Sequence, residues 1–473
     1  PGSMQPGVEP GVEAGAPGDV DRGHVAGARG GRTKREDAAA GEDVEDVGTL
    51  GDPELVHRVH EQIGVAGRVE YPGNDDQSHQ AYPAPIVAGS TDPDLGAITG
   101  DALRRVFDAP APLTVGLEEE VMLLDPETFD LAPVAPAALE RVADEARFKA
   151  ELPAAQVEIV VPPCEGPAAA LRELARGRND LARALDGIAL PAAAGVHPFA
   201  AGRGELSAGE RYDLTHYRYA TIAERQLVAS IQVHVAVGGA ELTLAVYNAL
   251  RTYLPEIAAL AANAPFHERH DTGLASVRPT IAVRLPRQGL PPAISSWDRF
   301  AAELRWGAAA GSVDEPRQWW WELRPHITFG TLEVRVPDAQ TTLADTAGVV
   351  AFVHALIAWL RERAEAGEAL LTAPTWRIAE NRWAAIRHGV EGELADLVTG
   401  ERLPTRERLE GLLDELEPLA RGYGTQAGIA EARRLVRSNG AMRQREHVRT
   451  DGFDTLTPAL AKRFTDALPA GIA

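Results

Sequence analysis

Apolar and polar positions change rhythm several times along this chain, and each rhythm predicts an element. TVGLEEEVMLL (Thr114 to Leu124) reads as a strand, closed by the turn Asp125-Pro126-Glu127-Thr128. ELPAAQVEIVVPP reads as a second strand that stops at Pro162, and LVASIQVHVAVGG as a third. SVRPTIAVRLPR and GTLEVRVPD complete the predicted strands. GPAAALRELARGRNDLARALDGIAL has Leu171, Leu174, Leu181 and Leu185 on one stripe and predicts an amphipathic helix. LTLAVYNALRTYLPEIAALAAN is helical with an interruption at Pro255, and ADTAGVVAFVHALIAWLRERAEAG is a long helix. Most of the chain after Trp376 reads helical.

Strands and helices mix without a strict βαβ alternation. That predicts an α+β fold with a largely antiparallel sheet, covered by a helical C-terminal layer. The sheet core is expected over about residues 110–340 and the helical part over about 343–473, within one catalytic domain from residue 99. Residues 1–98 have almost no apolar periodicity beyond a short helical hint around Pro53 to Val65, and they predict a disordered or loosely attached extension. Pro1-Gly2-Ser3 before Met4 reads as a cloning remnant.

The 473 residues are 45% hydrophobic and 25% charged, as in ordinary globular proteins. The net charge of −22 argues against nucleic acid and against an anionic membrane surface. The apolar run GVVAFVHALIAWL spans 13 residues and contains His354, too short to cross a bilayer. A single cysteine, Cys164, allows no intrachain disulfide and fits a reducing, cytoplasmic location. Assembly into a homo-oligomer is left open.

The chemistry lies in acids set among apolar residues. Alternation along the first strand points Glu118 and Glu120 one way and Glu119 the other. Two carboxylates on one buried face repel and need a cation, unless the strand is an edge with a solvated acidic face. The second strand adds Glu151 and Glu158. The third carries Gln232 and His234 on one face, where a lone histidine is commonly a hydrogen-bonded core residue. The last places Glu333 and Arg335 together, which a plain salt bridge also explains. One such strand has a bland reading; four point to a shared site. Oxygen ligands with one histidine suit Mg²⁺ or Mn²⁺ rather than zinc, and this many carboxylates imply two or more ions. Multiple ions bridging phosphate oxygens are the usual device of phosphoryl transfer. Gly-rich nucleotide loops are absent from the sequence, so bound ATP would rely on metals and on Arg278, Arg324 and Arg335.

Taken together, GLEEEVMLLDPET, ELPAAQVEIVVPPC, AAAGVHPFA, QVHVAV, ALAANAPF, DTGLASVRP, WWWELRPHITFGTLEVRVPD and ENRWAAIRHG resemble the bacterial type 2 glutamate–cysteine ligases, the carboxylate–amine ligases. The resemblance spans roughly Val115 to His388, with weaker similarity onward to GAMRQRE. It implies a glutamine synthetase-like fold, in which a curved antiparallel sheet forms a funnel for metals and ATP. It implies that Glu118, His234 and Glu333 ligate the ion near the ATP phosphates, and that Glu120, Glu151 and Glu158 ligate the ion or ions nearer the acceptor. Arg335 would stabilise the transferring phosphoryl group. Arg278, with Gln232, would bind substrate, and Arg324 would help hold the phosphates. The expected reaction joins the γ-carboxylate of glutamate to the amine of cysteine through a glutamyl phosphate. The alternatives are another amine in a biosynthetic pathway, or a di-metal hydrolase that needs no nucleotide. Arg269 and His270 stand before DTG where the family usually has Gly, so the acceptor loop departs from the pattern.

Overall fold

The computed structural model describes residues 93–142 and 146–472. The expectations for residues 1–92, including the helical hint near Pro53, lie outside the described residues. Leu95 and Ile98, assigned from sequence to the extension, are buried in the main core.

The strands among the described residues are β1 (Val115–Leu124), β2 (Phe148–Ala150), β3 (Gln156–Cys164), β4 (Leu190–Ala192), β5 (Ile231–Val235), β6 (Phe266–His267), β7 (His270–Asp271), β8 (Leu323–His326) and β9 (Thr331–Val334), with a small hairpin, β10 (Glu393–Ala395) and β11 (Arg402–Pro404), in the otherwise helical C-terminal part. Seven of them form one sheet in the order β2-β3-β1-β5-β9-β8, with β4 pairing to the end of β1. Every pairing in it is antiparallel. The fold class is therefore α+β with a mostly antiparallel open sheet, as the patterning predicts. β6 and β7 form a separate two-residue hairpin whose turn residues, Glu268 and Arg269, both adopt positive φ.

Two sequence expectations are corrected. The segment 276–287 is not a strand: Arg278–Ala282 is a short helix with Pro279 in its first turn, where the missing N–H costs nothing. The β-branched residues there mimic a strand, but Arg278 and Ser276 are drawn to Asp338 by hydrogen bonds of 2.7 and 3.0 Å. The second predicted strand is two pieces. Glu151 lies just past β2 rather than inside a strand, while β3 runs on through Pro162 and Pro163 to Cys164, which pairs with Val115.

One face of the sheet builds the core. Leu117, Val121 and Leu123 of β1 meet Val157, Ile159, Val233 and Leu332 there, all fully buried. Each such side chain contributes about 1.5–3 kcal/mol on burial. The helix Pro167–Ala184 lies over β3, and Gly177 makes its approach possible: a Cβ there would sit 2.6 Å from Ile159 Cγ2. The 13-residue apolar run lies within a longer helix, Leu343–Glu365, which by length and composition alone could cross a membrane, contrary to the expectation from the run; 89% of its most apolar stretch is buried within the protein, where it serves as a core helix. Its N-cap is Thr342, whose hydroxyl accepts from Asp345 N.

Glu119, the acid predicted to point away from its neighbours, is on this core face. It forms a wholly buried ion pair with Arg178, at 2.6 and 2.7 Å. Arg178 also donates to the carbonyls of Thr341, Gln340 and Phe464. The pair thus ties β1 to the helical layer.

Candidate active site

The opposite face of the sheet gathers the remaining acids, and register explains how. Residues opposite each other in an antiparallel pair share a face. Glu120 of β1 faces Glu158 of β3, and Glu158 faces Lys149 of β2. One step along, Glu118 faces Gln232 of β5. A further step aligns Gly116, His234, Glu333 and Arg324 across four strands. Side chains far apart in sequence thus line one wall.

At one end, Glu118, His234 and Glu333 each bring a ligand atom within 4.8 Å of the others, a spacing that fits a single metal ion. His234 Nε2 is 3.8 Å from Glu118 Oε1 and 3.8 Å from Glu333 Oε2. The ring is oriented through Nδ1, 3.0 Å from Thr331 Oγ1. Nε2 itself is buried without a hydrogen-bond partner. An orphaned imidazole nitrogen aimed at two carboxylates is the arrangement a divalent cation satisfies. Burial alone would push the Glu118 carboxyl up, but the nearby His234 ring draws it down to about 2. Burial likewise opposes ionisation of Glu333, yet Arg324 and Arg335 hold it well below the usual carboxylate range.

At the other end the acids are under strain. Glu120 accepts from Ser230 N at 2.6 Å, Ser230 Oγ at 3.1 Å and Gln232 Nε2 at 3.0 Å, yet burial keeps its pKa raised. Burial, with Glu120 nearby, pushes Glu151 up to about 7. Glu158 is raised well above the ordinary value by burial and by the fields of Glu118 and Glu151. These carboxyls feel one another because they occupy one site. Burial and mutual repulsion favour their protonated forms, and bound cations would favour the ionised ones.

The three arginines divide. Arg335, just past β9, hydrogen-bonds both Glu333 and Gln232 and so bridges the two ends of the site. Arg324 is buried behind Glu333, with Nε 2.5 Å from Oε2 and Nη1 donating to the carbonyls of Arg317 and Trp319. Arg278 is held by Asp338 and the Val336 carbonyl, and its charge acts on Glu120.

Sequence reasoning missed two residues. His326 shares the face of Arg324, two residues along β8, and its Nε2 is 4.0 Å from Glu333 Oε2. The same alternation that singled out Glu333 and Arg335 would have found it. Asp338 accepts from Asn263 N, Ser276 Oγ and Arg278 Nε, anchoring the floor of the site. No local pattern marks it.

The fold is that of the glutamate–cysteine ligases. The glutamate–cysteine ligase of Francisella tularensis, solved in complex with AMP, superposes with a TM-score of 0.58 at 12% identity, covering 77% of this chain and 92% of that one. The bifunctional glutathione synthetase of Pasteurella multocida superposes with a TM-score of 0.54 at 15% identity, covering 79% of this chain and 54% of that one. In sequence, a relative provisionally named glutamate–cysteine ligase 2-3 from Rubrobacter xylanophilus is 36% identical over 353 residues, 73% of this chain and 95% of its own length. A second, provisionally named glutamate–cysteine ligase 2 from Gloeobacter violaceus, is 33% identical over 348 residues, 72% and 93% of the two chains. The family model of glutamate–cysteine ligase family 2 matches residues 114–457. The chain belongs to that family and is an enzyme of the ATP-dependent ligase type.

Proposed function

We propose that the protein joins the γ-carboxylate of L-glutamate to the amine of L-cysteine, at the expense of ATP and with Mg²⁺ or Mn²⁺ bound. The observation that carries this reading is the orphaned His234 Nε2 between Glu118 and Glu333, on the same sheet face as Glu120 and Glu158 and near Glu151, whose carboxyls burial pushes up. Glu118, His234 and Glu333 would hold one ion, and Glu120, Glu151 and Glu158 the other or others. Bound divalent ions would neutralise phosphate charge that this acidic wall would otherwise repel.

The reaction needs two displacements. A γ-carboxylate oxygen attacks the terminal phosphorus of ATP, the bond to ADP breaks, and a glutamyl phosphate forms. The amine nitrogen then attacks the activated carbonyl, phosphate leaves, and the amine loses its proton. Arg335 carries a charge that its glutamate neighbours keep firmly protonated, suited to the equatorial oxygens of the phosphoryl group in flight. Gln232, shared between Glu120 and Arg335, would fix the relative position of the two ends. Arg278 would add positive charge on the substrate carboxylate side, and Arg324 would hold Glu333 in place.

Phosphate release is the test, with ATP, Mg²⁺, glutamate and a panel of amines, cysteine first. Release that requires both glutamate and cysteine supports the proposal. Release that requires glutamate and a different amine reassigns the acceptor. Hydrolytic activity on substrates with no nucleotide present would replace the ligase reading.

A further inference from the structure

The β8–β9 turn presents an aromatic ring beside the ion-binding trio. Phe329 is 53% exposed, although its neighbour His326 is buried. Its ring stacks on His326 with centroids 4.2 Å apart and planes only 7° from parallel. Its edge meets the His234 ring at 5.8 Å. His326 covers one face of the ring, and among the described residues no other ring stacks on the opposite face. The turn is held firmly: Phe329 N and Gly330 N both donate to the His326 carbonyl, at 3.2 and 2.9 Å. Gly330 has φ of 69°, and a Cβ there would lie 2.3 Å from the Val106 carbonyl oxygen. Single exposed aromatic rings are common on protein surfaces; this one is set apart by its fixed turn and its place against the His326 and His234 rings.

We propose that the open face of Phe329 is the stacking platform for the purine base of the nucleotide whose phosphates meet the Glu118–His234–Glu333 trio. A flat aromatic ring beside a phosphate-binding centre matches a ligand with a planar base at one end and a polyanion at the other. This inference rests on the ligase reading for the identity of the nucleotide.

The test compares two ligands that share a polyphosphate and differ in the base. Binding of a non-hydrolysable ATP analogue and of inorganic tripolyphosphate is measured by calorimetry in Mg²⁺, for the wild type, Phe329→Ala and Phe329→Trp. The Phe329→Ala protein is expected to lose about tenfold or more in affinity for the ATP analogue, with tripolyphosphate changed by less than about twofold. Phe329→Trp is expected to stay near wild type for both. Equal losses for both ligands, or no loss for the ATP analogue, overturn the proposal. A wild-type protein that binds neither ligand instead defeats the ligase reading on which it rests.

Discussion

Replacing Glu151 with glutamine in chelator-treated protein isolates the energy stored in the acid cluster. Glu151 is an acid whose folded pKa is raised from 4.5 to about 7 by burial and by Glu120. As pH climbs through that window the unfolded chain gives up the proton first, so the folded state holds more protons and loses stability. One pKa unit corresponds to about 1.4 kcal/mol, which sets an upper bound of about 3 kcal/mol for this group. Glu151 is partly exposed, so solvent screening reduces the expected effect to about 1–3 kcal/mol. The wild-type curve alone does not reveal it. His326 and His354, pushed down to about 3 and about 4 by burial, add stability as pH rises toward the ordinary imidazole value. Their effect cancels in the difference between mutant and wild type. The glutamine keeps a carbonyl oxygen able to accept from Leu152 N, now 3.1 Å from Glu151 Oε2. Chemical denaturation from acid to neutral pH, in chelator, should therefore show the mutant gaining on the wild type as pH rises from about 4.5 to about 7. Saturating Mg²⁺ or Mn²⁺ should abolish or reverse the gain, because ion binding stabilises the wild type by mass action. A difference that does not vary with pH, or a mutant less stable than wild type at neutral pH in chelator, would refute the reasoning.

Three further outcomes follow from the same geometry. Glu118→Gln should lower ATP-dependent phosphate release by about a hundredfold or more and weaken Mn²⁺ binding in titration calorimetry, with an unchanged circular dichroism spectrum. Glu333→Gln should do more: it leaves the buried Arg324 and the half-buried Arg335 without their carboxylate, so denaturant titration should also show a loss of about 3–5 kcal/mol. Glu119→Gln should cost a similar amount by unpairing Arg178, while Mn²⁺ affinity in the surviving folded fraction stays at the wild-type value, because Glu119 faces the core.

The alternation of acids with apolar residues made much of the site legible. Glu118 and Glu120 are separated from Glu119 by the two-residue period alone, and the structure sorts them to opposite faces as that period demands. Cross-strand partners were not legible, since register is set by the assembled sheet. Nothing near Glu119 announces Arg178, and nothing near Arg278 announces Asp338. The misread segment 276–287 shows why β-branched content is a weak guide. A proline in the first turn and a buried ion pair outweigh a local preference for strand. Glu151 was recognised as a site acid but placed in a strand, because a single extended pattern concealed the break between β2 and β3.

The formation of an acyl phosphate on glutamate is the central claim, and isotope transfer addresses it directly. Glutamate carrying heavy oxygen in its γ-carboxylate is incubated with the enzyme, ATP, Mg²⁺ and cysteine, and the released phosphate is analysed by mass spectrometry. One heavy oxygen per phosphate is the predicted result, since the carboxylate oxygen that attacks phosphorus departs with it. Turnover that yields unlabelled phosphate would contradict the account.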